Sequence, residues 1–132
     1  MNKDFSYASL EKNGDGFKII VSSYQDEQRK RFAIAQELGH LFLHMGYKTN
    51  AEIWEKQADK VPFQEKDPEK VRQANEFAAA LLMPRYIFFL TLEAASDIAE
   101  SGKRTIHMQA VADFFNVSLS AAHTRAKDFG II

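Results

Sequence analysis

The stretch Arg31-Phe32-Ala33-Ile34-Ala35-Gln36-Glu37-Leu38-Gly39-His40-Leu41-Phe42-Leu43-His44 decides how this sequence is read. Phe32, Ala35, Leu38, Gly39 and Phe42, with Met45 just beyond, recur at spacings of three and four. That period lays one buried stripe along an α-helix, predicted over about 30–45. Gly46 follows at once and is a natural stop, because a left-handed residue after a helix costs glycine no Cβ clash. The segment 25–31 is a charged approach to this helix.

Gln36-Glu37-Leu38-Gly39-His40 departs by one residue from the pattern H-E-x-x-H. On a helix, two imidazoles four residues apart are separated by about 40° of rotation and roughly 6 Å of rise, so both reach one metal ion. The Glu between them then faces the metal-bound water and takes its proton. Glu37 and His40 are in place here, and Gln36 stands where the first imidazole belongs. His44 repeats the four-residue spacing from His40 one turn further on.

Toward the N-terminus, 5–10 and 17–22 read as two short strands around Asn13-Gly14-Asp15-Gly16, a tight-hairpin signal. Beyond the first helix, 47–66 is polar and irregular, with the single Trp54 expected to anchor it. Asp67-Pro68-Glu69 opens a second helix with a cap, a proline in the first position and an acid at the positive end of the dipole. It should end before Pro84. Ala78-Ala79-Ala80 permits close helix approach, and Phe77, Leu81 and Leu82 are expected in the core. A third helix is predicted over 85–100, a break at Ser101-Gly102, and two short helices over 105–115 and 118–127.

The composition bounds the classes open to the chain. Its 132 residues, 45% apolar, suit one globular domain with a core. Without cysteine there is no disulfide scaffold, no thiolate zinc site and no thiol nucleophile. Seventeen basic against 18 acidic residues give no global field toward nucleic acid or an acidic membrane. No apolar run suits a signal peptide or a membrane span, so a cytoplasmic location is expected.

RFAIAQELGHLFLH, the later ANEFAAALLMP and the tail VADFFNVSLSAAHTRAKDFGII together resemble the ImmA/IrrE metallopeptidase family, in that family's order and over nearly the whole chain. The resemblance implies an α+β, zincin-like fold. It comprises a small antiparallel sheet with a helical bundle, a core over 1–100 and a helix-turn-helix-like tail over 101–132, in one domain 1–132. It implies a zinc endopeptidase acting on regulatory proteins such as repressors of mobile elements or stress genes. The family pattern is H-E-L-G-H followed by E-x-x-A-N. Carried over residue by residue, the metal positions are Gln36, His40 and Val71, with Glu37 as the general base and Ala74-Asn75 as the A-N pair.

Two of three ligands are thus replaced. A Gln carbonyl is a weak zinc donor and Val is none, so one imidazole is left and no bound zinc is expected. Glu37 then has no acidified water to deprotonate. His40 is expected to be a half-buried histidine bonded to Asn75 or Gln36. A shifted zinc site through His44 is the alternative, with Glu69 a poor third ligand because it points about 160° away from Val71.

The expected function is therefore a pseudo-metallopeptidase that holds a regulatory protein or peptide in its cleft. One alternative is an active zinc endopeptidase with a degenerate or shifted site. The other is DNA binding through 105–128, where Asn116 stands at the turn, Ser118 caps the last helix, and Arg125 and Lys127 could meet phosphates. The low basic excess of the tail weighs against DNA, and packing or protein recognition is expected instead. His107 and His123 are expected on the surface.

Overall fold

The computed structural model describes residues 8–22 and 26–132. Strands β1 (Ala8–Asn13) and β2 (Gly16–Val21) pair antiparallel, from Ala8 opposite Val21 to Asn13 opposite Gly16. The glycine-rich turn falls where the sequence puts it; positions 5–7 of the first predicted strand lie outside the described residues. The edge of β1 away from β2 is covered by the later segment. Lys60 N–H donates to Lys12 O at 2.7 Å and Phe63 N–H to Leu10 O at 2.7 Å. Among the described residues β2 pairs with β1 alone.

Helix α1 (Glu27–Leu43) starts three residues before the predicted point, because Asp26 caps it by accepting Arg29 N–H at 2.8 Å. Its buried residues are Ala33, Ala35, Gly39 and Leu41, while Phe32, Leu38 and Phe42 are half-buried. The contact face is set by small side chains. A Cβ on Gly39 would lie 3.1 Å from both Ala74 Cα and Phe77 Cβ, so α1 meets the next long helix backbone to backbone at this point. Leu41 and Met45 pack with Leu10 of β1 in a small core bordered by Tyr47, Trp54 and Phe63.

The segment read as irregular contains helix α2 (Ala51–Glu55), capped by Asn50, whose side chain accepts Ile53 N–H at 3.2 Å. Trp54 anchors it as expected. Its ring lies 5.0 Å from Tyr47, and Lys12 Nζ both donates to Trp54 O at 2.9 Å and sits 4.9 Å over the indole. Helix α3 (Pro68–Leu82) has the predicted start, with Asp67 Oδ1 accepting Glu69 N–H at 3.0 Å.

The contacts divide the chain into two compact units within α3, at Ala78/Ala79. The second unit holds α4 (Arg85–Ala94), β3 (Ser96–Ile98), β4 (Arg104–Ile106), α5 (Met108–Phe115) and α6 (Leu119–Asp128). Phe88, Met83, Val111 and Val117 form its fully buried centre, with Phe88 stacked on Phe115 at 5.7 Å. The predicted third helix is too long. It ends at Ala94, and the chain turns into a hairpin that pairs Ser96 with Ile106 and Ile98 with Arg104. The next helix accordingly starts at Met108 rather than 105. Leu81 is not core but half exposed. The turn between α5 and α6 has the helix-turn-helix form: Asn116 is left-handed (φ 55°), and Ser118 caps α6 by accepting Ala121 N–H at 3.0 Å. With six helices and two small antiparallel sheets among the described residues, the fold is α+β, as expected. No single described helix is long and apolar enough to cross a membrane.

Candidate functional site

The contact of α1 with α3 at Gly39 and Ala74 brings the singled-out residues of the two helices together. Gln36 Nε2 donates to Asn75 Oδ1, one turn back from Gly39 along α1. Val71, one turn before Asn75 on α3, is 38% exposed and offers no donor atom. Glu69 lies elsewhere, bound to Arg72 Nε at 2.9 Å with Arg72 continuing to Glu76 at 2.7 Å, so it is no substitute ligand.

His40 is half-buried, but its expected partner is wrong: Asn75 is taken by Gln36, and His40 turns the other way. Its Nδ1 lies 2.9 Å from His44 Nδ1, and His44 Nε2 lies 2.9 Å from Gln73 Oε1 on α3. The His40 ring also packs 5.5 Å from Phe63. Burial holds the His40 imidazole below its ordinary pKa, with His44 adding to that and Glu65 opposing it. Glu65 completes a group with His40 and His44 in which one donor atom from each lies within 4.8 Å of the others. Sequence reading missed Glu65. It stands in a segment without period, where no spacing relates it to a helix face.

Glu37 is pushed up to about 7 by burial. Among the described residues no hydrogen bond or ion pair reaches its carboxyl group. The unfolded chain ionises above about 4.5, whereas the folded state keeps the proton until about 7. Stability is therefore fully present below 4.5 and is lost as pH rises through that window. Glu37→Gln cannot ionise, so it should match the parent at pH 4.5 and exceed it at pH 8 by about 1–2 kcal/mol, the part-exposed site keeping the effect below the full shift. Urea unfolding at the two pH values measures this; an equal difference at both would place the carboxyl in solvent.

Other features fall outside this face. A cavity of about 510 Å³ opens elsewhere in the first unit, lined by Asp15, Tyr47, Lys48 and Trp54 among others, and contains none of the candidate site residues. In the second unit, Arg125 Nε donates to Met83 O at 3.1 Å and its guanidinium lies 4.4 Å over Phe129, so this cation serves the fold. His107 and His123 are exposed, and His107 bonds Asp97 at 2.6 Å.

An α+β chain with a glutamate and a histidine at H-E-x-x-H spacing on a helix, crossed by a second helix bearing A-N, has the frame of a zincin-like peptidase. This chain belongs to the peptidase family described as the IrrE N-terminal-like domain (Peptidase_M78), whose model matches residues 2–127. A search of curated proteins found no match. The family is zinc-dependent, and the group His40, His44 and Glu65 offers a donor set of the kind zinc accepts.

Proposed function

We propose that this chain is a pseudo-peptidase: a family member that holds an extended segment of a regulatory protein, such as a repressor of a mobile element or stress response, without cutting it. The observation that carries the reading is the bond from Gln36 to Asn75. On this reading Gln36, His40 and Val71 stand at the family's three metal positions and do not fit zinc. The Gln36 amide is spent on Asn75, Val71 has no donor, and one imidazole remains. No step is routed through a metal there, and Glu37, with no metal-bound water to deprotonate at those positions, is idle as a base.

A recognition surface is retained. Among the described residues nothing but β1 pairs with β2, and an extended chain would meet the N–H and C=O groups of its second edge beside Phe17 and Ile20, which are 37% and 50% exposed. Strand addition at such an edge supplies affinity through the main chain and selectivity through alternate side chains. The engagement of Arg125 supports a packing role for 105–128 over DNA contact.

The test uses a peptide selected from a displayed random library against the folded chain, with zinc present. The expected result is a bound, uncut peptide that slows hydrogen exchange at the β2 amides. Cleavage that disappears in Glu37→Gln would instead establish an active metallopeptidase. Protection confined to 105–128 would move the recognition surface to the tail.

A further inference from the structure

The geometry points to a divalent-cation site of zinc type formed by His40, His44 and Glu65, displaced one helical turn along α1 from the family's position and structural in role. Two imidazoles and a carboxylate are a zinc donor set, and their donor atoms already lie within 4.8 Å of one another. The two Nδ1 atoms are 2.9 Å apart, whereas two nitrogens sharing a tetrahedral zinc stand about 3.3 Å apart. A small opening of the rings admits the ion.

The supports are built as well. Gln73 Oε1 can only accept, so His44 Nε2 carries the hydrogen and its Nδ1 lone pair is presented toward His40. Asp67 N–H holds one oxygen of the Glu65 carboxylate at 3.2 Å. Phe63 lies against the His40 ring. Helix α1, the segment before α3 and α3 itself therefore each contribute to one centre.

The same helix geometry excludes peptidase chemistry there. In H-E-x-x-H the base directly follows the first histidine; after His40 that position is Leu41, a fully buried hydrocarbon. Glu37 stands about 4.5 Å back along the axis from His40. An ion held here ties α1 to the 56–67 segment and leaves catalysis absent. The inference stands apart from the peptide-binding reading, since neither the β2 edge nor Gln36 takes part in it.

The test is calorimetric titration of the chelator-treated full chain with zinc chloride, with magnesium chloride as control. One zinc per chain and no magnesium are expected, with binding weakened at least about tenfold in Glu65→Gln and in His44→Gln and unchanged in Gln36→Ala. X-ray absorption of the zinc-loaded parent should show two imidazoles with oxygen ligands, which keeps the test valid if a variant fails to fold. No zinc binding by the parent, a single-imidazole spectrum, or binding lost in Gln36→Ala and kept in Glu65→Gln would each overturn the inference.

Discussion

Gln36→His combined with Val71→Glu is expected to tighten zinc binding by about 10³–10⁴-fold, the gain from two added donors of a three-ligand site. The change exploits a frame already present. Position 36 is one turn from His40 on α1, and position 71 is one turn from Asn75, to which Gln36 now bonds. Losing that bond frees the Asn75 side chain to orient an imidazole instead. Glu37 would then directly follow the first histidine, in the place of a general base. The measurement is competition with a fluorescent zinc chelator in a Glu65→Gln background, so that the displaced group does not contribute. A folded triple variant without tighter binding would show that position 71 is not where the third ligand belongs.

Gly46→Ala is expected to destabilise the chain by about 3 kcal/mol, lowering the melting temperature by about 10 °C. Gly46 has φ +81°, a conformation that costs an L-residue about 1–2 kcal/mol. An added Cβ would also lie 2.6 Å from Asn50 O and 3.1 Å from Trp54 N. Both are backbone atoms, one at the N-cap of α2 and one within the helix, so neither swings aside. Gly14→Ala is the control, with φ +64° and nothing within 4 Å of the new carbon. It should show the conformational cost alone. Equal losses in scanning calorimetry would mean that α2 moves freely and the contact contributes nothing.

Strong local signals made much of this legible in the sequence. The stripe of α1, the Asp-Pro start of α3 and the hairpin at Asn13–Gly16 all rest on contacts within a few residues, and all appear near the expected positions. What escaped depends on distance. Helix α2 has five residues and β3 and β4 have three each, too few to show a period. The hairpin they form replaced the end of a predicted helix because pairing decides it, not local propensity.

At the site, spacing put Gln36, Glu37, His40 and His44 on one helix, and A-N put Asn75 near them. Which partner each side chain takes was not legible. Asn75 could reach Gln36 or His40, and the crossing of α1 and α3 at Gly39 selects Gln36. Glu65 joins His40 and His44 only through the path of a segment without period.

The placement of Trp54 has a spectroscopic consequence. It is the chain's single tryptophan, packed against Tyr47 and beneath the Lys12 ammonium in the first unit. Residues 79–132 contain no tryptophan, and their one tyrosine, Tyr86, is 74% exposed. Indole emission therefore follows the melting of residues up to Ala78, whereas far-ultraviolet dichroism sums the helices of both units. The separation between the two transitions reads directly how far the halves of this chain unfold as one.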